Sequence, residues 1–509
     1  MENTARQTLV IKNGQSVALN TIPLLRYSQF CETVLDLLKA EYRHCVNYYA
    51  LPWNKTLKFI CCIADDLEHN LHVISHELGL SDSRKLESLT PHHYALHVFE
   101  REIWENFGVE FSGHPWLKPL RYAQNRDNPD QKINDYPFYH IESQQLHEVG
   151  VGPIHAGIIE PGHFRFICNG ETVLHLEIQL GWQHRGVEKI FLEKKSLLQR
   201  SILSESIAGD TTVGHTLTFV QLVEALAGLK VNNRLRIERT VALELERIAM
   251  YTFDLSNLCV GTAYQLGANV FGALRTPLIN YFQSWCGNRF GRNLIRAGGT
   301  HYPLTPELRA TLETSLKDYL WRFREMADNA CHLPSLQNRF DGIGAVTRKQ
   351  MYLIGAVGLT ARMTGLQRDI RHSHPTAYYS ELDFSPVLTE NGDAFARFLQ
   401  RREEIMKSLR LFQTILNDNK FELESQKPQA ENKLKFQPNA FAISLSEGWR
   451  GEICHCAVTD DSGDLVHYKV KDPSLHNWMA LALSLRNLEI SDFPINNKSY
   501  NLSYCGHDL

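Results

Sequence analysis

From Glu188 to about Asn417 the apolar positions recur with helical spacing. The pattern is clearest over Asn233 to Leu258, where Leu235, Val241, Leu243, Leu245 and Ile248 stand among Arg239, Glu244, Glu246 and Arg247. Side-chain pairs three and four residues apart add only about 0.2–0.5 kcal/mol each, so packing against other helices must supply the rest. This stretch predicts a large helical core. Upstream, to about Arg121, strand-like runs (Leu57 to Ile63, Tyr94 to Phe99) mix with the helical spacing of Phe30, Val34, Leu37 and Leu38 after Ser28. This reads as a small α/β domain. Between Ala123 and Tyr139 the sequence NRDNPDQKINDYP is polar and turn-rich, and it places a linker at 123–145 between domains 1–122 and 146–509. Gly152 to Leu180 reads as β-rich. So do Phe441 to Leu445, Gly451 to Val458 and Leu465 to Val470, with Asp460-Asp461-Ser462-Gly463 as a hairpin turn. The polar stretch Glu424 to Gln437 predicts a surface loop. The expected fold class is therefore α+β: a small α/β amino-terminal domain, then a large, mainly helical domain with β-rich flaps.

Composition narrows the function classes. A chain of 509 residues exceeds what one core usually holds, about 250–300 residues, so at least two domains are expected. With 43% hydrophobic and 22% charged residues and a formal charge of -4, the chain is globular and lacks a basic surface for nucleic acid. No run of about 18 apolar residues occurs, and Met1 to Ser16 lacks the apolar stretch of a signal peptide. The expectation is a chain that stays in the cytosol and meets a membrane only through other subunits. Eleven cysteines, an odd number, form no CxxC pair, which argues against a disulfide framework or an iron–sulfur site. On a strand, Cys454-His455-Cys456 would place both thiols on one face. Further metal ligands are not identifiable around it, so it reads as a buried strand. There is no GxSxG elbow, no P-loop and no GxGxxG after a strand, so neither a placed nucleophile nor an NAD motif is visible.

Longer motifs carry a resemblance. Glu100-Arg101-Glu102, Phe107-Gly108-Val109 and Phe111-Ser112-Gly113-His114-Pro115, followed by Leu117 and Leu120, resemble the signature of the complex I 30 kDa subunit. Gly152-Pro153-Ile154-His155, Glu160-Pro161-Gly162-His163-Phe164-Arg165 and His184-Arg185-Gly186-Val187-Glu188-Lys189 resemble the opening of the complex I 49 kDa subunit and of membrane-bound nickel-iron hydrogenase large subunits. The likeness continues in family order through Glu244-Leu245-Glu246-Arg247-Ile248, Arg339-Phe340-Asp341-Gly342 and Glu447-Gly448-Trp449-Arg450-Gly451-Glu452 to Asp492-Phe493-Pro494. The chain thus resembles a fused 30 kDa/49 kDa subunit, most similar in kind to the large subunit of formate hydrogenlyase-type hydrogenases.

A nickel-iron hydrogenase needs four thiolates from two CxxC-type motifs, because soft, deprotonated sulfur holds the metals. Placed on the family pattern, the early motif puts Ala208 and Thr211 where thiols belong, with Gly209 and His215 on its glycine and histidine. The late motif falls on Ser503 and Gly506, with Cys505 one residue out of place. The resemblance therefore implies that no nickel-iron centre is held. In complex I the same region forms a quinone headgroup site. His155 matches its histidine, while the tyrosine position falls on Gly209 and the partnering acid near Gly261.

Two readings follow. In one, the chain takes part in electron transfer, with a quinone-type acceptor in a cavity at His155 and Gly209, and with His163, Asp210 and His215 tuning the site. In the other it is a non-redox scaffold or coupling subunit of a proton- or ion-translocating complex. There Arg185, Glu188, Arg275, Arg289, Arg296, Asp369, Arg371 and Arg450 form buried ion pairs. A free-standing enzyme using Cys505 or a histidine would be a third. The resemblance implies an iron–sulfur small subunit and integral membrane antiporter-like subunits as partners, and a peripheral place on the cytoplasmic face of the inner membrane. Any link to NADH runs through the family's complexes.

Overall fold

The computed structural model describes residues 8–79, 81–422, 424–428 and 434–509. Residues 429–433 of the predicted 424–437 loop, and Met1 to Gln7 of the polar opening segment, lie outside the described residues. Helices and several small sheets make a mixed α+β chain.

Four strands, β1 (Leu9–Ile11), β3 (Arg43–Trp53), β4 (Thr56–Asp65) and β5 (Asn70–Gly79), form an antiparallel sheet in the order β1-β5-β4-β3. Here β2 is Ser16–Ala18, which pairs elsewhere. Alternation sends neighbouring residues to opposite faces. Tyr48 and Cys61 join one core with Phe30, Val34 and Phe99, from the helices Tyr27–Leu37 and His97–Phe107. Tyr49 and Cys62 join another with Ile443, Leu445, Cys454 and Cys456. The second core belongs to a sheet in the order β13-β12-β11-β2, with β11 Ala440–Glu447, β12 Glu452–Thr459 and β13 Leu465–Lys471. The two ends of the sequence therefore share one sheet, and that sheet packs face to face on the amino-terminal one. Short β6 (Lys85–Glu87) and β7 (Glu110–Ser112) pair in parallel, and β8 (His147–Val151), β9 (His163–Asn169) and β10 (Thr172–Gln179) form a third antiparallel sheet.

The helical body is built around Asn233–Gly261, which is buried on nearly every side as a central helix must be. Its first turn is capped by Asn232, whose side chain accepts from the Leu235 amide at 2.9 Å. Helices Gln265–Cys286 and Ala394–Leu416 pack along it.

One expected element is different. Tyr94 to Phe99, read as a strand, is a 3-10 turn (Tyr94–Leu96) running into the helix His97–Phe107. Six apolar-rich residues are too few to separate the two periods, and the spacing of Leu96, Phe99 and Ile103 continues as a helix face.

Candidate functional site

Three segments converge. Residues 205–211 link the helices Leu197–Ser204 and Thr212–Ala227. Residues 501–508 turn at Asn501, in the left-handed region at φ 46°, into the short helix Tyr504–Asp508, where Ser503 caps the Gly506 amide at 2.9 Å. The third is the 152–163 loop between β8 and β9. Arg185 ties the first two together, donating to the Ser206 and Ile207 carbonyls (2.7 Å each) and to that of Cys505 (3.2 Å). Arg450 clamps them with a fork: both terminal nitrogens lie 2.7 Å from the Asp210 carboxylate, and its Nε donates to the Asn501 carbonyl at 2.6 Å. The 152–163 loop closes from the other side. A Cβ at Gly162 would stand 2.7 Å from the Tyr504 ring, so only glycine permits this approach.

The predicted residues fall into different environments. The rings of His155 and His163 brace their own loop: His155 Nε2 donates to the Gly162 carbonyl at 2.8 Å, and His163 Nδ1 to that of Gly152 at 3.0 Å. Both are half-buried, and burial pushes the His163 ring below the usual histidine range. Gly209 is exposed, with open space where a side chain would stand. Asp210 faces Arg450, while His215 is fully buried and faces no opening. At the four positions that the resemblance assigns to thiolates stand a methyl group (Ala208), two hydroxyls (Thr211, Ser503) and Gly506. A Cβ added at Gly506 would lie 2.5 Å from the Asp472 carboxylate. Cys505 is kept a neutral thiol, raised to about 12 by burial and by Glu160 beside it. These side chains do not fit a thiolate-held metal pair.

Beneath the loops runs a relay of side chains that sequence reading missed. Tyr468 Oη lies 2.7 Å from His455 Nδ1, His455 Nε2 3.2 Å from His215 Nδ1, and His215 Nε2 3.0 Å from Asp472 Oδ2. All four residues are at most 1% exposed. With Asp472 ionised, one pattern satisfies every atom. Tyr468 donates to His455, His455 donates to His215, and His215 donates to Asp472. Burial next to His215 holds the His455 ring well below its ordinary range, hence neutral. Burial opposes the charge on Asp472, but the His215 hydrogen bond outweighs it and keeps the carboxyl below the usual range. Asp472 abuts Gly506, and Tyr468 lines a cavity of about 290 Å³ with Glu188, Lys469 and His184. One signal was available: the alternation that puts the Cys454 and Cys456 thiols toward Asn47 (3.7 and 3.8 Å) turns His455 to the opposite face. A second missed acid, Glu246, accepts from the Val213 and Gly214 amides (2.7 and 3.2 Å), and burial raises it to about 8.

The expected set of buried ion pairs needs correction. Arg296 with Glu205, Arg371 with Asp369, Arg450 with Asp210 and Glu188 with Lys469 do pair. Arg185 bonds backbone carbonyls instead, Arg275 lies over the Phe253 ring at 4.4 Å, and Arg289 is exposed. The flat guanidinium satisfies itself on carbonyl oxygens or an aromatic face as readily as on an acid, which residue type alone does not reveal.

Fold and site together describe a mixed α+β chain in which three segments meet in a loop cluster. The respiratory-chain NADH dehydrogenase 30 Kd subunit family matches residues 24–137, and the 49 Kd subunit family matches residues 270–508. One polypeptide thus carries domains of both subunit families, fused in this order. Hydrogenase-4 component G of Escherichia coli (strain K12) is 26% identical over 434 residues, covering 82% of this chain and 74% of that protein. The C/D component of NADH-quinone oxidoreductase from Phocaeicola vulgatus is 27% identical over 442 residues, covering 77% and 81%. The alpha component of the membrane-bound hydrogenase from Pyrococcus furiosus is 26% identical over 359 residues, covering 68% and 84%.

Proposed function

We propose that the chain is a peripheral subunit of a membrane-bound, complex I-like or hydrogenase-like assembly, and that it takes part in electron transfer without a nickel-iron centre. Its acceptor, of quinone type, sits where the 152–163, 205–211 and 503–505 segments meet. The 30 kDa-like unit ends near residue 122, and the 49 kDa-like unit begins near 146. An iron–sulfur small subunit delivers electrons, and integral membrane antiporter-like subunits hold the assembly on the cytoplasmic face. Among the described residues no helix is long and apolar enough to cross a membrane. Ile154 and Ile158, 81% and 86% exposed at the tip of the 152–163 loop, offer an apolar contact for a partner.

The observation that carries this reading is the buried Tyr468–His455–His215–Asp472 relay ending beside Gly506. Quinone reduction takes up a proton for every electron, and this relay can move one: each group passes its proton on while receiving another from its neighbour. His155 Nε2 is engaged by the Gly162 carbonyl, so in this geometry the ring takes up its proton at Nδ1.

The test is to isolate the assembly by gentle solubilisation, measure nickel and iron, and assay reduction of a short-chain quinone. Slowed quinone reduction in His155→Ala and His455→Phe supports the proposal. Stoichiometric nickel, or unchanged electron transfer in both variants, overturns it. The Arg450–Asp210 fork, which also donates to the Thr211 hydroxyl at 3.2 Å, favours the scaffold reading instead. A small subunit without cluster-binding cysteines would select that alternative.

A further inference from the structure

A cavity of about 810 Å³, within the range of small-molecule sites, lies beside the loop cluster, with His507 of its carboxy-terminal segment in the lining. It is enclosed by helix His97–Phe107, residues 115–120, β10, and the helices Arg348–Ile354 and Ser474–Ser484, with Tyr136 and Tyr139 across it. One wall is apolar: Leu353, Ile354, Trp478, Met479 and Leu483. The opposite wall is charged, and its charges do not cancel. Glu177 is already committed, accepting from Lys118 (2.6 Å), Tyr136 Oη (3.2 Å), the Tyr139 amide (2.8 Å) and Trp116 Nε1 (3.4 Å).

That leaves Arg101 without an ion-pair partner at contact distance among the described residues. The residue is 5% exposed, and it donates from Nε and Nη2 to the Lys118 and Pro119 carbonyls (2.8 and 2.6 Å) and lies over the Trp116 ring at 4.2 Å. It forms no ion pair with any described carboxylate. Glu105, one helical turn on, gives its oxygens to the Leu120, Arg121 and Tyr122 amides. His97, 2% exposed on the same wall, has both ring nitrogens unpartnered. At the rim Arg486 is exposed and makes no ion pair among the described residues. Arg101 and Arg486 both line the cavity, and the charges of both act on the Tyr94 hydroxyl beside them.

We propose that this cavity binds an amphipathic organic anion, its carboxylate or phosphate held by Arg101, His97 and Arg486 and its apolar body lying along Leu353, Ile354, Trp478, Met479 and Leu483. Such a ligand supplies an ion-pair partner for the two arginines and hydrogen-bond partners for His97 at once. The site is independent of the redox reading, and its test measures no turnover.

The purified full-length chain is titrated with dodecanoate, dodecyl phosphate and neutral dodecanol below their micellar concentrations, following heat and tryptophan fluorescence. Saturable binding of one equivalent of either anion is expected, at least tenfold tighter than dodecanol. Preference between the two anions distinguishes a free acid from a phosphate headgroup. Arg486→Glu, a rim substitution that leaves the core untouched, is expected to weaken binding at least fivefold. Ala482→Trp, which fills the apolar end, is expected to abolish it while circular dichroism stays native. No saturable binding of either anion, equal affinity for dodecanol, or unchanged affinity in Arg486→Glu would overturn the proposal.

Discussion

Two groups of buried polar side chains meet the same difficulty, charge in a low-dielectric interior, in opposite ways. Around Arg371 three guanidiniums (Arg247, Arg362, Arg371) face four carboxylates (Glu244, Asp369, Glu404, Glu447), at separations such as 2.6 Å for Arg371–Asp369, 2.7 Å for Arg371–Glu404 and 2.6 Å for Arg362–Glu447. Burial, and then Asp369, raise Glu447 to about 7, so close to neutral pH a bound proton balances the cluster. The relay from Tyr468 to Asp472 holds a single ionised group and spreads its polarity over directed, neutral hydrogen bonds. The first arrangement locks helices and strands together. The second leaves a proton one degree of freedom. Buried ion pairs fix geometry because losing one partner strands the other, whereas a hydrogen-bonded relay can shift its protons without stranding anything.

The contrast can be broken experimentally. Arg371→Met leaves Asp369, Glu404 and Glu244 short of a cation and is expected to cost about 3–5 kcal/mol in urea unfolding, or to prevent folding. A cost under about 1 kcal/mol would mean that the cluster is no lock. His455→Phe strands the Tyr468 hydroxyl and one His215 nitrogen. The expected loss is about 1–3 kcal/mol, with Tyr468→Phe costing less because only one bond is removed.

The pH dependence sharpens the comparison. Glu246 and Glu447 have folded pKa values raised to about 8 and about 7, so the folded state holds protons that the unfolded chain releases above about 4.5. The contribution of these two groups to stability should therefore fall as pH rises from 5 to 8. Glu244, lowered to about 2 against burial by Arg247 and Arg371, works the other way, and its contribution is lost as pH falls below about 4.5. Glu246→Gln is expected to flatten the loss between pH 5 and 8 by a few kcal/mol at about 1.4 kcal/mol per pKa unit, read from melting curves across that range. An unchanged slope would show that Glu246 is ionised in the fold. The smallest effect belongs to Asp210→Asn. The Asp210 side chain is 40% exposed, so losing the Arg450 fork should cost no more than about 1 kcal/mol.

Some of this is legible in the residues alone. The Asn233 helix, the β12–β13 hairpin turned at Asp460 to Gly463, and the shared face of Cys454 and Cys456 all follow from local period and turn chemistry. Tyr94 to Phe99 misleads because the window is shorter than the helix it opens. The partners of His215 are not readable at all: His455 and Asp472 lie 240 and 257 residues further along the chain. Nor is the face-to-face packing of two sheets drawn from opposite ends of the sequence, or the seating of Arg101 on the Lys118 and Pro119 carbonyls.

What the residues determined on their own was everything that acts within one turn or one strand: periodicity, caps and tight turns. Tertiary structure alone decided which donor meets which acceptor and which charge is left without a partner. The physical reason is range: helix and strand periods are set by neighbours a few residues apart. Hydrogen bonds and ion pairs depend on separations of about 3 Å between residues brought together only by packing, and on how much water that packing removes.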